Sequence, residues 1–286
     1  MRWQWVGGCD EQRTIADTLR NHWGCSRRQL NLLKRNPGSV TVNGVNAHLG
    51  YLPVSGDLVS VTLPESLLPV PPENIPLDVV YEDSCLLVVD KPAGLVCHPT
   101  RGYKSGTLAN ALSGHARLPA RLITRLDRET SGLVLAAKNA WVHHCLARAE
   151  LKKEYVAIVT GAPQPSEGMV SVPLGREQGN PSRRGVDADG KPAITRYATE
   201  ATKEGLSLVR VWLLTGRTHQ IRLHMAHMGC PVADDYMYGN GRNIVGRMAL
   251  HANRLEFKHP VTGENLIISA PLPKDMEKVA REIGKK

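Results

Sequence analysis

No two of the six cysteines stand in a C-x-x-C pair; Cys9, Cys25, Cys85, Cys97, Cys145 and Cys230 are scattered along 286 residues. That scatter speaks against a zinc site and for reduced thiols in a cytoplasmic protein. No apolar run approaches a membrane span, and residues 1–8 carry neither a long apolar stretch nor a cleavage-site pattern. Phosphate-loop and dinucleotide-binding glycine motifs are missing, so no nucleotide cofactor is expected. Repeats and low-complexity tracts are missing as well. What the chain has in excess is positive charge: 36 Lys and Arg against 27 Asp and Glu, a net charge of +9. A polyanionic partner would favour that excess, because each neutralised phosphate releases counterions. Many basic proteins bind no nucleic acid, so charge alone does not decide the matter.

The chain breaks compositionally at Leu63 to Pro76, where LPESLLPVPPENIP holds five prolines. Proline removes donors and keeps its predecessor extended, so residues 64–76 read as a semi-rigid linker between a small unit, 1–63, and a larger one, 77–286. In the first unit Thr14 to Trp23 has helical spacing, and Ser26 caps a second helix through Leu33. Leu30 and Leu33 would face inward, and Arg27, Arg28, Lys34 and Arg35 outward. Ser39 to Val42 reads as a strand closed by Asn43-Gly44, and Gly56-Asp57 as a turn before the strand Leu58 to Leu63. Beyond the linker strands come in runs (Val79 to Tyr81, Leu86 to Val89, Gly132 to Ala137, Tyr155 to Thr160, Leu206 to Leu214). Helices are fewer: Ala140 to Leu151, Thr218 to Met228, and Lys274 to about Ile283. Such runs, without strict strand–helix alternation, predict an α+β fold on a mixed, largely antiparallel sheet.

Four clusters resist a purely structural reading. Lys91-Pro92-Ala93-Gly94 with His98-Pro99 follows a buried-looking strand, as a loop at a cleft edge would. Arg125-Leu126-Asp127-Arg128-Glu129-Thr130-Ser131-Gly132 crowds charges before an apolar strand. An Asp there is ordinarily a turn cap, but alternation can aim Arg125 and Asp127 to one side and Leu126 to the other. In Lys152-Lys153-Glu154-Tyr155, Lys153 and Tyr155 share a strand face, and the tyrosine is either core filler or a platform for a base. In Thr215-Gly216-Arg217-Thr218-His219-Gln220-Ile221-Arg222-Leu223-His224, Thr218 can cap a helix that Gly229 ends. His219, His224 and His227 lack a nearby acid and a zincin spacing, so no metal is expected. Arg217 and Arg222 suit pairing with a carboxylate or a phosphate better.

Together these clusters resemble the large-subunit (RluA-type) family of pseudouridine synthases, with the likeness running from about Leu77 to Pro273. Its carriers are R-L-D-x-x-T-S-G and G-R-T-H-Q-I-R-x-H-M, with Asp187 to Tyr197, Leu250-His251-Ala252 and His259-Pro260 in support. The first unit resembles the small "S-four" RNA-binding domain through Ser26-Arg27-Arg28, Val40 to Gly44 and Gly56 to Val59; the alternative is a solvated basic helix. One departure stands out: Thr124 occupies a position where many family members have His.

The resemblance implies a cofactor-free isomerisation of uridine to pseudouridine in structured RNA. Asp127 would be the nucleophile and Arg222 its salt-bridge partner. Tyr155 would stack on the uracil and is a candidate for removing the proton from carbon 5. Arg125 would brace the space left by a flipped base, and Leu126 and Leu250 would line the pocket. Arg27, Arg28, Lys34, Arg35, Arg217 and His219 would contact RNA. Large-subunit ribosomal RNA is the first choice of substrate and transfer RNA the second, with no obligate protein partner. Rival readings are a non-catalytic RNA-binding assembly factor and a sugar hydrolase. The hydrolase would need a second acid, for which Glu129 is the local candidate, a side chain better suited to capping the turn. Residues 179–190, with Arg183 and Arg184, read as a mobile RNA-contacting loop or a long hairpin.

Overall fold

The computed structural model describes residues 2–7, 13–23, 25–62, 70–100, 102–116, 121–177, 179–180, 183–239 and 243–285. The first elements are β1 (Arg2–Val6), α1 (Ile15–Asn21), α2 (Arg27–Arg35), β2 (Val40–Val42), β3 (Val45–Asn46) and β4 (Leu58–Thr62). The strands form one sheet in the order β1-β4-β2-β3. Both helices start with reciprocal caps, Thr14 with Asp17 and Ser26 with Gln29, which satisfy amides that a helix start leaves open. On α2, Leu30 and Leu33 are buried while Arg27, Arg28, Lys34 and Arg35 are exposed. Asn43 and Gly44 turn with φ of 50° and 81°, as a tight hairpin requires. The β1 strand adds an element that the sequence pattern did not distinguish.

The larger part contains β5 (Asp78–Glu82), β6 (Leu86–Lys91), α3 (Leu108–Ala116), β7 (Arg121–Leu122), β8 (Ser131–Ala137), α4 (Ala140–Leu146), β9 (Lys152–Thr160) and β10 (Glu167–Ser171). It continues with β11 (Leu174–Arg176), β12 (Arg184–Val186), β13 (Ile194–Lys203), β14 (Leu206–Leu213), α5 (Gln220–His227), β15 (Leu250–Lys258), β16 (Asn265–Ser269) and α6 (Lys274–Gly284). One large sheet runs β10-β13-β14-β9-β15-β8-β6-β5, with β16 on β15 and β7 on β8. Among these pairings only β8 with β15 is parallel, so the fold is α+β on a mixed, largely antiparallel sheet, as expected.

The sheet centre is covered on both faces, so β8 is buried at every position and apolar from Gly132 onward. Val134 and Ala136 pack in one core with α3 and α6, and Leu133, Leu135 and Ala137 in another with α4. That second core continues into the N-terminal unit. Trp3 stacks on Trp23 at 6.1 Å and meets Trp141 edge-on at 6.0 Å, while the Trp141 indole donates to the Trp23 carbonyl. Of the expected linker, residues 64–69 lie outside the described residues. The rest is anchored on α3: Asn110 Nδ2 donates to the Pro71 carbonyl at 2.9 Å, and the Glu73 amide donates to the Asn110 carbonyl. The segment is therefore packed rather than free there.

Two expected helix bounds shift. The helix expected to reach Leu151 stops at Leu146, because i→i−3 bonds from Arg148 and Ala149 tighten its end before β9 starts. Thr218 does not cap α5; its N-cap is His219, in left-handed geometry and without a side-chain cap bond. Gly229 does end the helix, with φ of 74°. Leu174–Arg176 pairs antiparallel with Arg184–Val186, the β11–β12 hairpin, which is the second of the two readings offered for the region around Arg183 and Arg184.

Among the described residues, Asp83, Cys85 and His259 form the one cluster with metal-ligand side chains converging. His259 Nδ1 accepts the amides of Val261 and Thr262, so its proton sits on Nε2 and is given to Asp83 at 3.0 Å. No ring lone pair is left for a cation, and the trio is a hydrogen-bonded clasp.

His251 on β15 is fully buried beside Ser131, whose Oγ lies 2.9 Å from Nδ1. Burial pushes its imidazole down to about 4 from an ordinary 6.5. Below pH 6.5 the unfolded chain therefore takes up a proton that the folded one refuses, so stability is complete above that pH and falls toward pH 4. Urea melts across this window should lose on the order of 3 kcal/mol to this residue. His251→Asn should flatten the slope, and an unchanged slope would refute the assignment.

Candidate active site

The residues from 124 to 132 form a turn held on three sides. Thr124 Oγ1 accepts the Leu135 amide at 2.9 Å, which ties the entry of the turn to β8. Thr124, the one departure noted in the sequence, thus serves to fasten the turn to β8. At the back, the Arg128 carbonyl accepts both Lys91 Nζ at 3.0 Å and the Gly94 amide at 2.8 Å. Lys91 is fully buried and spends its other donors on the carbonyls of Pro92 and Leu95. The Lys-Pro-Ala-Gly loop is thus a clamp on the turn from below, a role its sequence does not announce. Cys97 bridges the Leu126 amide and carbonyl through its thiol, at 3.3 Å each.

At the exit Gly132 has φ of 115°, and a Cβ there would lie 2.3 Å from the Ala252 carbonyl oxygen. Only glycine permits that approach between β8 and β15. Because Ala252 is also opposite Tyr155 in the β9–β15 register, the same contact brings the turn next to β9. β14, which also pairs with β9, then delivers the loop 214–219 and α5.

These elements enclose a cleft of about 430 Å³, within the usual range for small-ligand sites. Asp127, Tyr155, Arg222, Arg125, Leu126, Leu250, Arg217 and His219 all line it, together with Thr124 and Lys153. The four cations of α2 do not. Leu126 and Leu250 are buried apolar wall, and Arg125 is exposed at the edge. Glu129 caps nothing among the described residues; it is half-buried and pairs with Arg128 at 2.7 Å.

Arg222 Nη1 donates to Asp127 Oδ2 at 2.9 Å. The other side of the guanidinium is taken bidentately by Asp235, Nε to Oδ2 at 2.7 Å and Nη2 to Oδ1 at 2.8 Å. Asp235 has no exposed side-chain surface and also accepts the amides of Met237 and Tyr238. Its carboxyl is held below the usual range: burial opposes this, but Arg222 and the amides outweigh it. Arg222 is raised by the two carboxylates despite its burial. Asp127 Oδ1 makes no hydrogen bond among the described residues and is the oxygen left for chemistry.

The Tyr238 ring lies 5.0 Å from the Arg222 guanidinium on one contact and 5.4 Å from that of Arg183 on another. Its hydroxyl accepts the Arg184 amide and meets His219 Nδ1 at 2.8 Å. That arrangement favours a His219 proton on Nε2, which faces Asp127 Oδ2 at 3.8 Å. Burial lowers the His219 pKa, so the ring is neutral near pH 7. Tyr155 is raised by burial and then by the Asp127 charge, so it is a neutral phenol.

Gln220 explains the loop before α5: its amide nitrogen donates to the Ile194 carbonyl and Thr195 Oγ1, and its oxygen accepts the Arg217 amide and the Thr215 hydroxyl. His224 is spent on Thr195 Oγ1 at 2.9 Å and the Val172 carbonyl at 3.2 Å, so it belongs to the core. Asp235 and Tyr238 were missed by the sequence reading. The signal for them was two adjacent acids, Asp234-Asp235, in an otherwise apolar stretch after Gly229; buried carboxylates need cations.

Residues 85–227 match the family model described as RNA pseudouridylate synthase. The chain is 38% identical over 269 residues to the Bacillus subtilis (strain 168) RNA pseudouridine synthase YjbO, covering 90% of this chain and 95% of the relative. Over 232 residues it is 39% identical to ribosomal large subunit pseudouridine synthase D of Xanthomonas campestris pv. campestris, covering 73% and 70%. The solved structure of human RNA pseudouridylate synthase domain containing 1 is similar with a TM-score of 0.58 and 26% identity, covering 74% of this chain and 96% of that one.

The two carboxylates on Arg222 should differ sharply in stability cost. Asp235→Asn leaves a buried guanidinium half-paired and should cost about 3–5 kcal/mol in urea melts. Asp127→Asn, with one bond at an open cleft, should cost about 1 kcal/mol or less. Equal costs would contradict this division of labour.

Proposed function

The chain belongs to the RNA pseudouridylate synthase family, whose members are isomerases, and we propose that Asp127 is the nucleophile acting on a uridine of large-subunit ribosomal RNA. The observation that carries the reading is the Asp127–Arg222 ion pair at 2.9 Å inside a cleft that also contains Tyr155. The fixed guanidinium holds one carboxylate oxygen of Asp127 and leaves the other without a hydrogen bond among the described residues.

Asp127 Oδ1 attacks carbon 1′ as the bond to uracil N1 breaks, much as carboxylates do in glycoside hydrolysis. The freed base turns, carbon 5 takes carbon 1′, and the carboxylate is released. Carbon 5 then loses its proton and N1 gains one, so the sum is an isomerisation. Tyr155, a neutral phenol, stacks on the uracil and is a weak base by itself. It takes the carbon 5 proton only as it hands its own onward to the neighbouring Asp127 carboxylate, which passes that proton to solvent while N1 takes one from solvent, so the carboxylate is restored. The target uridine must leave its stack, at a cost of a few kcal/mol, and Arg125 at the cleft edge braces the space. Leu126 and Leu250 form the apolar wall beside the base.

Residues 1–63 are proposed as an S-four-like RNA-binding domain, 64–76 as the connection and 77–286 as the catalytic domain, in a cytoplasmic enzyme. Its support is the exposure of Arg27, Arg28, Lys34 and Arg35 on one short helix. Arg217 and His219 add contacts at the cleft itself. The ribosomal target draws its support from the relatives named for the large subunit. Transfer RNA is the alternative.

Carbodiimide mapping of pseudouridine in total RNA, with and without the gene, decides the target. Loss of large-subunit rRNA sites is expected, loss restricted to tRNA would select the alternative, and no loss would overturn the reading. Asp127→Ala or Asp127→Asn should keep the fold and abolish product; turnover at the native rate would remove Asp127 from its role. Replacing Arg27, Lys34 and Arg35 by Gln should weaken RNA binding and make log affinity against log salt shallower by about 2. These substitutions are better than deleting the unit, because deletion strips Trp141 of its partners; an unchanged slope would make α2 a solvated face.

A further inference from the structure

The cleft contains a lysine that nothing among the described residues neutralises. Lys153 lies on β9 two residues before Tyr155, hence on the same face, and its side chain lines the cleft. It makes no hydrogen bond and no ion pair among the described residues. Its ammonium reaches over the loop before α5, where a Cβ on Gly216 would lie 3.5 Å from Nζ. Burial lowers its pKa. Of the other cations lining the cleft, Arg222 is paired with two carboxylates, Arg128 with Glu129 and the Tyr103 hydroxyl, and Arg217 Nε donates to the Pro192 carbonyl, whereas Arg125 is exposed to solvent at the edge.

A partly desolvated ammonium without a counter-ion is a cost to the free protein. The arrangement makes sense if the anion arrives with the substrate. We propose that Lys153 is a phosphate-binding site, taking a backbone phosphodiester next to the uridine that enters the cleft; this rests on the reading of the cleft as a uridine pocket. Uracil and ribose are uncharged, so the phosphodiester is the anion a uridine brings. In this arrangement the ammonium positions the nucleotide and takes no part in the bond exchange. Gly216, with no side chain, leaves the approach to Nζ open.

The test uses the full chain and large-subunit rRNA labelled with [5-³H]uridine in cells lacking the gene, which releases tritium as carbon 5 loses its proton. Lys153→Met should raise KM about tenfold, the size of one charged hydrogen bond, with kcat changed less than about threefold. Its slope of log affinity against log salt should be shallower by about 0.7–0.9, and Lys153→Arg should restore both. Lys153→Met should also melt no lower than wild type, since it removes an unpaired charge. Unchanged KM and salt slope would overturn the proposal. So would a collapse of kcat at unchanged KM, which would place the ammonium on the base. If wild type released no tritium, the nucleophile reading would fall separately, and the salt slope for binding the same RNA would still decide Lys153.

Discussion

Arg222 is the interaction on which the site depends, because one guanidinium serves two carboxylates of unequal standing. Asp235 takes Nε and Nη2 side-on in a buried pocket, so the plane of the group is fixed before any substrate arrives. What remains, Nη1, points at Asp127. A lone arginine on α5 could swing to either acid; a clamped one can only present a single N–H. Asp127 is therefore oriented through one oxygen and left open at the other. Tyr238 closes the assembly by covering Arg222 and tying down His219, and it reaches the β11–β12 hairpin through Arg183 and Arg184.

The turn that carries Asp127 is a second constraint. Lys91 is an uncommon choice for a fully buried position, and its three carbonyl partners explain it. A cation inside the protein is tolerable when its hydrogens are all used and its field falls on a region needing positive charge. The turn is thereby held from below by Lys91, at its entry by Thr124 and at its exit by the glycine-only contact with Ala252. The rigidity of the backbone, more than any one side-chain bond, sets where Asp127 stands.

Much of this was legible in the chain. Helical spacing after Thr14 and the cap signal at Ser26 identified α1 and α2, and the Asn43-Gly44 turn identified its hairpin, because these depend on neighbours within a few residues. The apolar run 132–137 gave away a strand buried on both faces. The edge strand β1, the helix α3 and strands β10, β13 and β16 were not anticipated, since their stability comes from partners far along the chain. For the same reason α5 starts one residue later than Thr218 suggested: Gln220 locks the loop to β13, which no local rule predicts. Glu129, the nearest acid in sequence, pairs with Arg128, whereas the acid that matters to Arg222 is Asp235, over a hundred positions from Asp127.

By itself, the sequence determined the chemistry available: an Asp before a buried strand, a Tyr on another, an Arg near a helix start, and motifs long enough to identify the family. Only the tertiary structure decided which groups meet and in what state. Asp127, Tyr155 and Arg222 come together because β8, β15, β9 and β14 are neighbours in one sheet, an order set by pairing between distant segments. Charge states follow from that same packing, since burial and the nearest opposite charge act through space. That is why Arg222 is doubly paired, Tyr155 is neutral and Lys153 stands alone, although all three read simply as polar residues in the chain.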